Sequence, residues 1–449
     1  IHISAQENKG VFVDEDGLMK WRSDSSEVSL FGVNYSTPFA HSYRAIKLLG
    51  LSHEDAIDID VAHMARLGFN AYRVHMWDKE ISDSAGNLLE NEHLRLFDYL
   101  LMTLKERDFT IILTPIAWWG TGWPEPDPEV PGFAKNYSKV EMVTNDTARA
   151  AQRNYLKQII NHKNYYTGIS YKDDPDIIAF EIINEPHHPR DTVQTTMYVN
   201  EMADVLREKG LTKPIFYNIS ENWSDTQAPA VYNADIDGIS FQWYPAGLVK
   251  RSALKGNFLG HVNKYPIPDS GDRNLHNKSR MVYEFDAADV AQPIMYPAMA
   301  RSFREAGMQF AAMFSYDPAY IAGSNTEYNT HFLNLLYTPK KAVSLMIAAE
   351  VFRNVEAYRE FGAYPENLRF GDFTIDYASQ LSQYNSPEKF YYSNDTKSNP
   401  VSPQQLNQIA GAGSSPLVSY DGCGSYFLDR LNDATWRLEL MPDAAWTGN

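Results

Sequence analysis

The stretch Ile177-Ile178-Ala179-Phe180-Glu181-Ile182-Ile183-Asn184-Glu185-Pro186 decides the fold. Its opening is almost wholly apolar and rich in isoleucine, the pattern of a strand buried on both faces. Asn-Glu-Pro ends the run, and a helical pattern follows over 192–209, stopped by Gly210. The same strand-to-helix unit recurs in both directions. Towards the N-terminus, strand 31–35 precedes a helix in which Ser52 and Asp55 resemble a capping box, Ile57, Val61, Met64 and Leu67 share a face, and Gly68 closes. Strand 70–74 precedes helix 91–106, and strand 110–116 precedes helix 147–162. Towards the C-terminus come strands 214–219, 236–243, 281–285 and 308–314, with helix 296–306 between the last two and Thr338-Pro339 opening a final helix.

Eight strands alternating with helices over 31–354 predict an α/β fold of the (β/α)₈ TIM-barrel class, which averages ~250 residues and grows by insertion. A doubly wound sheet is disfavoured, because strand 31–35 runs into Ser36-Thr37-Pro38 with no glycine-rich phosphate turn. An N-terminal hairpin, 11–13 with 18–21, belongs with the barrel as residues 1–354. Beyond Asn354 the helical rhythm stops, and 355–449 reads as a small β-domain of sandwich type with strands at 370–377, 417–420, 425–428 and 436–441. A strand so close to the end of the chain suggests a truncated parent.

The 449 residues hold 57 acids against 40 bases, a net charge of −17 that repels a phosphate backbone and excludes nucleic acid as a partner. No run approaches the ~20 apolar residues of a membrane span. One cysteine, Cys423, excludes a disulfide framework and cysteine-rich metal sites. Aromatic residues make up 13%, including 28 Tyr and 9 Trp, the rings on which sugar faces stack.

In a barrel of this kind chemistry sits at the C-terminal ends of the strands. There the fourth strand leads into Glu185, and the seventh, Met281-Val282-Tyr283, into Glu284. Such carboxylates at the ends of apolar strands are costly unless paired or working. Two of them about 5–5.5 Å apart suit glycoside hydrolysis with retention, one as nucleophile and one as acid/base. Asp286 and Asp289 lie past the strand end and read as capping or pairing groups, and Glu181 reads as the buried partner of a base lining the barrel.

The segment Phe-Glu-Ile-Ile-Asn-Glu-Pro, residues 180–186, resembles the acid/base motif of clan A glycoside hydrolases, the (β/α)₈ superfamily of β-mannanases, cellulases and β-galactosidases. The resemblance covers about 28–354. It implies Glu185 as acid/base, Asn184 as a donor to the sugar 2-hydroxyl, Glu284 as nucleophile, Arg73 as support for the nucleophile and Tyr244 beside it. The chain departs from the clan at Gln242, where histidine is common, and at Phe314-Ser315-Tyr316, where tryptophan ends the eighth strand. The segments 242–247 and 283–290 resemble a secreted bacterial group, the β-galactosidases of glycoside hydrolase family 147.

Substrate contacts are expected from Asn184, Arg73, Tyr244, Gln242 and His187, with Trp119, Trp243 and Tyr316 as sugar platforms and Trp118, Trp123 and Trp223 as further candidates. The long segments 117–145, 244–280 and 317–337 predict a walled pocket and attack at chain ends. No metal or other cofactor is expected, since no H-x-H stands after the first strand. The expectation is a secreted or periplasmic retaining β-glycosidase acting on oligo- or polysaccharide, an exo-β-galactosidase first. An endo-β-mannanase or endo-β-glucanase is the alternative, and a non-catalytic carbohydrate-binding barrel the rival from another class.

Overall fold

The computed structural model describes residues 10–118, 131–220, 227–247, 254–288, 293–324 and 331–444. Eight parallel strands close into a barrel: Leu30–Val33, Ala71–His75, Thr110–Thr114, Ile177–Glu181, Ile215–Ile219, Gly238–Trp243, Ser279–Phe285 and Met308–Met313. The eighth pairs with the first in register Phe310↔Leu30, which leaves no exposed edge. Every residue of these strands is buried, as a sheet lined inside by its own side chains and covered outside by helices requires. At Gly32 the first strand runs so close to the second that a Cβ would meet the Ala71 carbonyl oxygen at 1.8 Å, so no larger residue fits.

The hairpin Val11–Val13 with Met19–Trp21 plugs the N-terminal end of the barrel. Val11 and Met19 join Ile112, Ile178, Phe216 and Phe310 in one apolar cluster, and Gln309 of the eighth strand accepts the Met19 N–H at 2.6 Å and donates to the Met19 carbonyl at 2.8 Å. With that end filled, the open end of the barrel is the C-terminal one. Short helices not legible as amphipathic patterns decorate it, including Ala40–Leu48, Asp78–Ile81 and Lys139–Thr144.

The final barrel helix, Pro339–Asn354, is followed by one seven-stranded sheet running in sequence order from Arg369–Phe370 to Thr435–Leu440. All its pairs are antiparallel except Lys389–Tyr392 with Gln408–Gly411. The expected sandwich is absent, and the barrel supplies the second layer. Phe370, Phe373, Tyr384, Tyr391 and Phe427 belong to the same apolar core as the barrel helices. Each such side chain contributes about 1.5–3 kcal/mol by leaving water. Arg66 of helix His53–Arg66 binds Asp429 at 2.8 Å and Glu439 at 2.7 Å, and its guanidinium lies 4.2 Å from the Phe427 ring centre. The β-domain is thus clamped to the barrel flank.

Candidate active site

Arg73, fully buried in the second strand, organises the open end of the barrel. Its Nη1 donates to Glu284 Oε1 at 3.2 Å and to Asn34 Oδ1 at 3.3 Å, its Nη2 to Asn184 Oδ1 at 2.9 Å, and its Nε to Thr114 Oγ1 at 3.0 Å. Its main counter-charge is Glu181, which also accepts from Thr114 Oγ1 at 2.6 Å, from Asn218 Nδ2 at 2.9 Å and from Ser240 Oγ. Two carboxylates and several acceptors around one planar fork offset the cost of burying a guanidinium. The Tyr283 ring stacks 4.7 Å below it.

Asn184 is buried, and because Arg73 takes its oxygen, its Nδ2 faces away with no hydrogen-bond partner among the described residues. A buried unsatisfied donor at an open end is costly unless a ligand completes it. Glu185 follows with φ at +42°, a backbone region that non-glycine residues seldom occupy and that clusters at working sites. Asn218 of the fifth strand holds it there, accepting the Glu185 N–H at 3.1 Å.

The two glutamates meet over one amide. Gln242 Nε2 donates to Glu185 Oε1 at 2.5 Å and lies 3.4 Å from Glu284 Oε2, which puts those oxygens within about 6 Å of each other. Tyr244 donates to Glu284 Oε2 at 3.0 Å, and His75 Nδ1 stands 3.6 Å from Glu284 Oε1. Burial first, then the negative charge of Glu185, push the Glu284 carboxyl up to about 8, while Arg73, Tyr244 and Gln242 pull it back. The part of that rise owed to the charge of Glu185 is absent whenever Glu185 is protonated, leaving burial opposed by Arg73, Tyr244 and Gln242. Burial and the charge of Arg73 hold His75 well below the usual histidine range, so it is neutral.

The structure therefore brings together Arg73, Asn184, Glu185, Gln242, Tyr244 and Glu284. It does not bring in Trp243 or Tyr316. Strand alternation turns Gln242 into the barrel and Trp243 out of it, where Trp243 packs edge-on against Tyr265 at 5.1 Å and Phe303 at 5.3 Å. Tyr316 is fully buried beside helix His53–Arg66, its hydroxyl 3.2 Å from His63 Nδ1. Phe314 faces the site instead, stacked on His75 at 5.9 Å. His187 is exposed two residues beyond Glu185, and His188 bonds Tyr217 at 2.6 Å. Trp119, Trp123, Trp223 and Asp289 lie outside the described residues, as do parts of all three segments expected to wall the pocket.

Sequence reasoning missed His75, Tyr283, Asn218 and Lys139. His75 and Asn218 were within its reach, since His75 is two residues from Arg73 and Asn218 is a polar residue inside an apolar strand. Tyr283 OH lies 3.5 Å from Glu185 Oε1, and Lys139 Nζ 3.3 Å from Glu185 Oε2. Among the described residues no group of three His, Cys, Asp or Glu side chains could hold a metal ion, and no helix is long and apolar enough to cross a membrane.

Residues 69–215 match the family described as GH family 5 beta-mannosidase-like, a span that includes Arg73 and Glu185 but not Glu284. A mannan endo-1,4-beta-mannosidase 7 of Arabidopsis thaliana is 30% identical over 188 residues, covering 38% of this chain and 40% of that protein. The chain thus spans well under half the length of that relative. The endo-1,4-beta-mannanase of Rhizomucor miehei superimposes with a TM-score of 0.55 at 16% identity, over 76% of this chain and all but 1% of its own, 99% being covered. The exo-beta-1,4-mannosidase of Opitutaceae bacterium strain TAV5 does so with a TM-score of 0.52 at 17% identity, over 77% of this chain and 62% of its own. The chain is thus a closed (β/α)₈ barrel that carries the Asn-Glu-Pro motif after its fourth strand and matches the GH family 5 beta-mannosidase-like family over residues 69–215.

Proposed function

We propose that the chain is a retaining β-glycosidase acting on β-linked mannan or its fragments. The observation that carries the reading is the single Gln242 amide in reach of both Glu185 and Glu284, since oxygens within about 6 Å leave no room for the extra water of an inverting site. Glu284, held by Arg73 and Tyr244, attacks the anomeric carbon from the face opposite the leaving group. Glu185 gives its proton to the departing glycosidic oxygen, and a glycosyl ester forms on Glu284. Glu185, now a carboxylate, takes a proton from water, which attacks the same carbon and frees Glu284. Two inversions return the original configuration. The Asn184 Nδ2, without a hydrogen-bond partner among the described residues, supports a donor role toward the sugar 2-hydroxyl, a contact that strengthens as charge develops on the ring.

The mannan preference is supported by the family match and the names of the relatives. A second reading, exo-acting β-galactosidase, comes from the resemblance of segments 242–247 and 283–290 to glycoside hydrolase family 147. One panel separates them: 4-nitrophenyl β-mannoside, β-galactoside and β-glucoside, with β-mannan as polymer. Release of mannose or manno-oligosaccharides as the β-anomer supports the proposal. Cleavage of the galactoside alone transfers it to the second reading, and no cleavage of any supports the binding-barrel rival.

A further inference from the structure

Lys139 belongs to no motif, yet its ammonium lies 3.3 Å from Glu185 Oε2, the oxygen opposite the one that takes Gln242. The lysine opens helix Lys139–Thr144, which a Ser138–Glu141 capping box fixes, and its Nζ sits 5.1 Å above the centre of the Trp118 ring. That ring is itself anchored, since Trp118 Nε1 donates to the Tyr137 carbonyl at 2.9 Å and the Trp118 N–H to Asp78 Oδ1 at 3.1 Å. A lysine side chain ordered on the surface gives up much of its rotamer entropy. Here ring, helix start and carboxylate define one position, and the side chains of Lys139 and Glu185 are only 12% and 18% exposed, so the pair is partly shielded from water.

We propose that Lys139 is a positioning residue for the acid/base carboxyl: seated on Trp118, it holds Glu185 Oε2 while Gln242 holds Oε1, fixing the direction in which Glu185 presents its proton to the leaving group. The proposal rests on the retaining-glycosidase reading and deepens it. A carboxyl on a backbone held at positive φ has many ways to swing aside, and two donors from different segments remove them. The other titratable groups facing Glu185 are Glu284 and Tyr283 from the seventh strand, Tyr244 past the sixth, and His187 on its own segment. Beside these, Lys139 is the cation that pairs with Glu185 among the described residues.

The test compares wild type with Lys139→Met and Lys139→Arg in two readouts. The first is the pH profile of kcat/KM on whichever aryl β-glycoside the wild type cleaves. The second is the ¹³C titration of carboxyl-labelled glutamate, with Glu185→Gln identifying the signal. The expected result is that Lys139→Met moves the alkaline limb and the Glu185 titration upward by about one pH unit, and that Lys139→Arg restores both. A folded Lys139→Met protein in which neither moves overturns the proposal. If the wild type cleaves no glycoside, the hydrolase reading fails, and the carboxyl titration alone still decides whether Lys139 acts on Glu185.

Discussion

Asn218 accepts the backbone N–H of Glu185 at 3.1 Å and, through the other end of the same amide, donates to Glu181 at 2.9 Å. One side chain on the fifth strand thus ties the positive-φ backbone of Glu185, the proposed acid/base, to the carboxylate that balances Arg73. Asn218→Ala is expected to cost about 1–3 kcal/mol of stability by leaving buried polar groups short of a partner. Because it loosens Glu185 without touching the sugar, kcat should fall on the order of 10–100-fold with KM changing little. A kinetic split in the other direction, with KM rising and kcat intact, contradicts this assignment.

Glu185→Ala should distinguish substrates by their leaving groups. Phenyl glycosides need a proton and should slow by about 10²–10⁴, whereas 2,4-dinitrophenyl glycosides should still load Glu284 rapidly. Added azide should restore turnover and yield a β-glycosyl azide, detected by mass spectrometry. Equal losses on both substrates, with no azide product, would place the acid elsewhere.

The raised Glu284 carboxyl carries a stability prediction. Because burial and the charge of Glu185 raise the Glu284 carboxyl to about 8, the native site binds more protons than the unfolded chain across the interval from ordinary glutamate values to 8. Stability is therefore present below that interval and declines as pH rises through it. Glu284→Gln removes the dependence. The melting temperature of the variant relative to wild type should climb by at least about 2 °C between pH 5 and pH 9, and a constant difference across that range contradicts the electrostatic account.

Trp243 should behave as core. Packed on Tyr265 and Phe303, it is 6% exposed, so Trp243→Ala should cost about 3–5 kcal/mol by denaturant melting. Trp243→Phe, which keeps a ring in place, should leave KM within about twofold of wild type while lowering stability. A large rise in KM for the phenylalanine variant would return Trp243 to the substrate.

How far the sequence could be read depended on periodicity. The apolar strands and their helices show a regular spacing, so the closed barrel and the acids at strand ends four and seven were legible from it. The facing of single residues was less so. Trp243 and Gln242 are neighbours in sequence but point to opposite sides of the strand, and composition favours the ring while geometry favours the amide. Lys139 reaches Glu185 across 46 residues through an inserted helix that no alternating pattern announces. The sandwich expectation for the C-terminal strands failed for a related reason. Local alternation shows that a sheet has a buried face but not what covers it, which here is Arg66, Ser344, Glu350 and their helices.

The central claim is that Glu284 becomes covalently bonded to the sugar. Incubation with the 2-deoxy-2-fluoro glycosyl fluoride of the preferred sugar, followed by proteolysis and tandem mass spectrometry, reads this directly. One fluoroglycosyl group per chain on the peptide containing Glu284, absent in Glu284→Gln, is the predicted result. A label on any other carboxylate, or turnover of the inactivator with inverted anomeric configuration, contradicts the account.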